Sequence, residues 1–102
     1  MLLRLKGYQI HARNKRTPVG EIDIIASKRG IIVFIEVKSR KDISQAISAV
    51  TPQSWQRISN AAAYWMAPKP NLGENGWRYD IIAIAPRKWP VHVLDAWRPG
   101  LA

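Results

Sequence analysis

Cysteine is absent from this 102-residue chain, which excludes a disulfide framework, a thiolate zinc site and a cysteine nucleophile. Histidine is scarce, and His11 and His92 each read as part of a strand rather than as metal ligands. No apolar run approaches the roughly 20 residues of a membrane-spanning helix. The opening Met1-Leu2-Leu3-Arg4-Leu5-Lys6 meets charge too early for a secretory leader. A cytoplasmic protein without a membrane partner is the expectation. Acidic residues are also few: seven Asp and Glu stand against sixteen Lys and Arg, a net charge of +9. That imbalance favours a polyanionic partner, most simply nucleic acid. The length suits a single domain over residues 1–102.

Because the acids are few, their placement is informative. Gly20-Glu21-Ile22-Asp23 and Glu36-Val37-Lys38 lie in apolar runs on either side of Arg29-Gly30. Read as a β-hairpin, a two-residue turn at Arg29-Gly30 sets Asp23 against Glu36 and Glu21 against Lys38. A four-residue loop over Ser27 to Gly30 would set Glu21 against Glu36 instead. Either way Glu21, Asp23, Glu36 and Lys38 share one face, since side chains alternate along a strand. Opposed like charges destabilise a sheet, and a carboxylate among Ile, Val and Phe is unfavourable unless paired or bound to metal. A hard divalent cation held by oxygens resolves both problems, and Mg²⁺ needs only one or two carboxylates beside water and phosphate oxygens. Asp23, Glu36 and the Val37 carbonyl are the candidate ligands for Mg²⁺ or Mn²⁺. Lys38 would orient the attacking water or stabilise phosphate charge. The plain alternative is structural pairing of Glu21 with Lys38 and of Asp23 with an arginine.

Around this hairpin the coarse order is helix, strands, helix, strands. Residues 1–6 suggest the end of a helix closed by Gly7. A short extended piece over Tyr8 to Ala12 precedes a basic loop, Arg13 to Pro18. Residues Ile43 to Ala49 suggest a helical turn. Thr51-Pro52 starts the clearest helix, with Trp55, Ile58, Ala62 and Trp65 on its buried stripe. Trp77 to Ile84 and Val91 to Leu94 read as further strands, and Asp80 as a pairing residue. Trp77, Trp89 and Trp97 are expected to pack rather than to stack on bases. In the hairpin, Ile22, Ile24, Ile35 and Val37 should line one face and Ile25, Ile32 and Phe34 the other. A sheet apolar on both faces needs cover on both, so the expected class is α/β or α+β, a central mixed sheet flanked by helices. Arg13, Lys15, Arg16, Arg40 and Lys41 flank the acidic face and are the candidate phosphate contacts.

Gly20-Glu21-Ile22-Asp23-Ile24-Ile25-Ala26 followed by Val33-Phe34-Ile35-Glu36-Val37-Lys38-Ser39-Arg40 resembles the signature of the YraN-like uncharacterised family. The likeness continues through Ala49-Val50-Thr51-Pro52, Arg78 to Ala83 and Asp95-Ala96-Trp97. That family is placed in the restriction-endonuclease-like, PD-(D/E)xK superfamily, beside archaeal Holliday junction resolvases. The resemblance implies a nuclease fold with Asp23, Glu36 and Lys38 at the catalytic positions, joined on the same face by Glu21. It further implies Mg²⁺ dependence and DNA, branched or otherwise structured, as substrate. Its resolvase relatives are dimers, which makes a homodimer an expectation. The first helix is short against the family pattern, no acidic residue precedes Glu21, and Ser54-Trp55 stands where a polar pair is usual. Gln53 and Gln56 are the nearby polar alternatives. The rival readings are a nucleic-acid-binding module of the same fold without efficient cleavage, and a basic accessory protein for an acidic partner.

Overall fold

The computed structural model describes residues 2–100. Its elements run α1 (Leu2–Leu5), β1 (Gln9–Thr17), β2 (Gly20–Lys28), β3 (Ile31–Ser39), α2 (Ile43–Ser48), α3 (Pro52–Met66), β4 (Trp77–Ile84) and β5 (Val91–Trp97). The strands form one sheet in chain order, antiparallel throughout except for the parallel β3–β4 pair. A parallel pair requires a crossover connection, and α2 and α3 provide it. The result is the expected mixed sheet with helices, an α+β arrangement consistent with a restriction-endonuclease-like fold. No helix among the described residues is long and apolar enough to cross a membrane.

Local chemistry explains the boundaries. Arg29 and Gly30 both have positive φ, 54° and 79°, the signature of a tight primed turn. This turn selects the two-residue register, with Lys28 opposite Ile31 and Ile24 opposite Ile35. Gly7 closes α1 at φ 89°, and the Tyr8 N–H returns to the Leu3 carbonyl. The part of that helix assigned to Met1 lies outside the described residues. Asp42 caps α2 by accepting from the Gln45 N–H, and Thr51 caps α3 through the Ser54 N–H, with Pro52 in the first turn.

The basic segment from Arg13 to Thr17 is strand, not loop. It continues β1, pairing Arg13 with Ile24, Lys15 with Ile22 and Arg16 with Glu21. Its charges suit an edge strand, where they discourage pairing with another chain. The turn to β2 is held by Thr17, whose hydroxyl donates to the Gly20 carbonyl and accepts from the Val19 N–H.

The sheet is buried on both faces, by unequal cover. Under α2 and α3 lie Ile25, Ile32, Phe34 and Tyr79, packed against Trp55, Ile58 and Ala62. On the other face Ile24, Val33, Ile35 and Ile82 meet Leu3 and Tyr8. Ile22 departs from strict alternation: it joins the cluster under α3 rather than Ile24. The β2–β3 ladder ends at Ile24–Ile35, and alternation assigns faces only while a strand stays in register with its neighbour. Trp55 stacks on Trp97, ring centres 5.9 Å apart, and Trp77 meets Phe34 edge-on. Trp89 does not pack as expected, since 91% of its surface is exposed on the turn between the prolines.

Gly20 allows β2 to lie close to α3. A Cβ there would sit 3.0 Å from the Arg57 carbonyl oxygen and 3.5 Å from the Ala61 methyl. Gly20→Val is therefore expected to destabilise by about 2–3 kcal/mol through overpacking, read as a lowered urea midpoint.

Candidate metal centre

Two irregularities of the sheet isolate Asp23. On the β1 side, Asn14 lies between the partners of Ile22 and Ile24, hence across from Asp23, and its φ is 49°. On the β3 side no backbone bridge extends past Ile24–Ile35. Instead the Val37 N–H donates to Asp23 Oδ2 over 2.8 Å. A side-chain carboxylate thus stands in for the β2 carbonyl, and the strands separate where the acids gather.

Glu36 points into this gap. Its carboxyl is hydrogen-bonded to Asp23, and its side chain is 13% exposed. Burial, then the hydrogen bond and charge of Asp23, push its pKa up to about 8; Lys38 pulls the other way, with Nζ 4.0 Å from Glu36 Oε2. Two carboxyls that sequence parity placed on one face thus stand side by side, and Glu36 is the one whose ionisation burial and Asp23 oppose. This strained acid pair fits a hard cation: both groups are oxygen donors, and their number matches what Mg²⁺ takes from protein. Among the described residues no cluster of three His, Cys, Asp or Glu exists, so Glu21 does not complete a third arm.

Glu21 and Lys38 nonetheless belong to the same place. Together with Glu36, Gly20, Ser54 and Arg57 they line a hollow of about 350 Å³ between β2, β3 and the start of α3. Glu21 is paired with Arg16 at 4.0 Å rather than with Lys38. Arg16 thereby reaches the site rim from β1, and Arg40 and Lys41 follow the end of β3, exposed. Arg13 is placed differently, because its cross-strand neighbour Ile24 packs on the α1 face. Lys15 lies across from Ile22.

Arg57 was not among the expected site residues, and Ser54 entered only as half of Ser54-Trp55. Their signal was the three-residue spacing on a helix whose first turn is fixed by Thr51-Pro52, which puts both on one side. Trp55 turns into the core instead, while Gln53 and Gln56 stay outside the hollow, the latter bonded to Asn60.

A second polar cluster lies behind the sheet. Asp80 is fully buried and accepts from Arg78 Nε and Nη2 at 2.9 Å each, from the Asp95 N–H at 2.8 Å, and from His92 Nε2 at 2.7 Å. A carboxylate only accepts and an ammonium only donates. His92, with Lys6 Nζ 3.2 Å from Nδ1, therefore carries its proton on Nε2. Burial alone would raise the Asp80 pKa, but the donors from His92, Arg78 and Asp95 outweigh it and lower it. This is the pairing role expected of Asp80. His11 Nε2 is likewise engaged, 2.7 Å from Ser27 Oγ.

Comparison with known proteins agrees with the acidic hairpin signature. The model of the uncharacterised protein family UPF0102 matches residues 1–84. The chain belongs to UPF0102, the YraN family. Family proteins with related sequences include one from Rhodopseudomonas palustris, 49% identical over 94 residues, covering 92% of this chain and 72% of that protein. Another, from Bradyrhizobium diazoefficiens, is 50% identical over 94 residues, covering 92% and 71%. A third, from Parvibaculum lavamentivorans, is 40% identical over 99 residues, covering 97% and 74%. All three carry only the UPF0102 family name. The UPF0102 match contains both acidic strands, α3 and β4, so the whole candidate centre falls inside it.

Proposed function

We propose that this UPF0102 protein is a cytoplasmic, Mg²⁺- or Mn²⁺-dependent endonuclease that hydrolyses phosphodiester bonds in DNA. The observation that carries the reading is the juxtaposed carboxyls of Asp23 and Glu36 at a break in the sheet, beside Lys38 and inside a basic rim. Asp23 and Glu36 would hold the cation, with the Val37 carbonyl beside them. Bound there, the metal would supply Lewis-acid polarisation and an activated water.

The protein's own groups account for the rest. Val37 N–H fixes one Asp23 oxygen and so sets the direction of the other. Lys38 offers donors to a phosphate oxygen or the attacking water once it is released from Glu36. Arg57 and Ser54 approach from α3 and can grip the phosphate, while Glu21 holds Arg16 at the rim. Arg40 and Lys41 extend the positive track for the strand. A binding module lacking cleavage would need the basic rim alone, and nothing in it would call for a half-buried carboxyl pair.

The direct test is nicking of supercoiled plasmid and branched DNA by purified protein with Mg²⁺ or Mn²⁺ and with EDTA. Metal-dependent nicking is expected. DNA binding without it, across linear and branched substrates, would overturn the enzyme reading in favour of the binding module.

The proton that Glu36 retains gives the metal step a pH signature. A cation must displace it, so below the Glu36 value of about 8 the Mn²⁺ affinity should rise with pH. The expected slope is about tenfold per pH unit between pH 6 and 7.5, flattening above. Mn²⁺ titration followed by electron paramagnetic resonance measures it, and a pH-independent affinity in that range would contradict proton displacement.

A further inference from the structure

The centre described above occupies one face and one end of the hairpin. At the other end, on the α1 face, lies a hollow of about 430 Å³ bordered by Lys6, Tyr8, Lys28, Arg29, Arg78 and His92. No carboxylate lines it. From Lys28 to Asp23 the separation along β2 is about 17 Å at ~3.3 Å per residue, so the two hollows do not merge.

The charges here are not accounted for by the fold. Arg78 is neutralised by Asp80, and Asp80 is saturated by Arg78, His92 and the Asp95 N–H. It therefore has no acceptor left for Lys6. Among the described residues Lys6, Lys28 and Arg29 form no ion pair. Yet the three converge, although separating them would lower their mutual repulsion. Their positions are held from behind: His92 takes one Lys6 donor at 3.2 Å, and Lys28 Nζ lies 5.2 Å from the Tyr8 ring centre. Tyr8 is in turn fixed by Arg78, whose Nη2 donates to its hydroxyl at 2.6 Å. An ammonium bound to one imidazole keeps two N–H donors free to face the hollow.

We infer that this hollow is an anion site for a phosphate-bearing ligand, separate from the acidic centre. Two ammonium groups and a guanidinium suit the charge of a diphosphate or of adjacent backbone phosphates. The volume is within the range of small-ligand sites. The ligand chemistry is the phosphate group, whether carried by a nucleic-acid backbone or by a free small molecule.

Calorimetric titration with inorganic pyrophosphate tests the site in the full chain. Saturable binding is expected. Because charge-assisted contacts are lost, Lys28→Glu combined with Arg29→Asn should weaken it about tenfold or more. Lys28 borders the turn and Arg29 lies in it, where Asn tolerates the positive φ, so circular dichroism should show an intact fold. Asp23→Asn should leave pyrophosphate binding unchanged, which separates this site from the proposed metal centre. Competition by short duplex DNA would assign the phosphate to a nucleic-acid backbone; absence of competition would assign it to a free phosphate compound. No saturable pyrophosphate binding, or equal binding by the double variant, would overturn the inference.

Discussion

Glu36→Gln is expected to reduce metal-dependent nicking by about 10³-fold while making the folded protein more stable at pH 8, an opposite pair of effects that a purely structural residue would not give. The amide can still donate to Asp23, so the local geometry survives. What disappears is the charge that burial and Asp23 oppose. The linkage sign follows from the raised value. Below pH 4.5, the ordinary glutamate value, folded and unfolded chains both hold the proton and the contribution to stability is complete. Between pH 4.5 and about 8 only the folded chain holds it, so stability declines as pH rises and levels off above about 8. In Glu36→Gln this decline should be absent, leaving the variant about 1–2 kcal/mol more stable at pH 8. Urea denaturation across pH, run beside plasmid nicking, measures both. Full nicking by Glu36→Gln, or a wild-type stability that does not fall across this range, would remove Glu36 from its assigned role.

Asp80→Ala carries the largest expected loss of stability, about 3–5 kcal/mol, because it leaves the Arg78 charge without its buried partner. For a domain of this size that corresponds to a melting temperature lower by about 15 °C or more. Three elements fail together, since Asp80 joins β4 to the β5 backbone at Asp95 and, through Arg78 and His92, to Tyr8 and Lys6 near α1. The pH response should have the opposite sense to that of Glu36. A lowered carboxylate value means stability that is present above about 3.8 and lost as pH falls through the folded value. Thermal melts of wild type and Asp80→Ala should therefore converge in strong acid. Melting temperatures that differ by the same amount at every pH would argue that Asp80 acts through packing volume alone.

What could be read in advance depended on how local the cause was. The hairpin was legible because Arg29-Gly30 is a turn signal between alternating runs, and strand parity put Glu36 and Asp23 on one face; the choice between a two-residue turn and a four-residue loop came only with the positive φ of Arg29 and Gly30. Thr51-Pro52 announced its helix because capping is decided within one turn, whereas the Asp42 cap of α2 emerged only from the structure. Only the second half of β1 was hidden, because Arg13 to Arg16 has none of the apolar alternation by which strands are recognised; its pairing with β2 is supplied by the neighbour. The face of Ile22 was hidden for a related reason: alternation cannot anticipate where Asp23 interrupts the ladder. Arg57 required knowing that α3 lies over β2, and the partners of Asp80 required bringing Lys6, Tyr8 and His92 together from opposite ends of the chain. The carboxyl pair was visible as an anomaly of composition; the burial of Glu36 beside Asp23 was visible only once the two strands were seen to part.

The single parallel seam also orders assembly in time. Residues 9–39 form a meander of adjacent hairpins, whereas β3 meets β4 only between residues 45 positions apart, as in Ile32–Trp77. Contacts of that separation form late, after the intervening chain has given up its loop entropy. Asp23, Glu36 and Lys38 belong to the early meander, while Arg57, Ser54 and Asp80 arrive with the crossover. Pulse-labelled hydrogen exchange should accordingly protect the Ile25 and Phe34 amides before those of Ile81 and Ile82. The acidic pair would then be the first part of the centre to form, held for an interval in open water, and Glu36 would reach its raised value only as α3 closes over the pair.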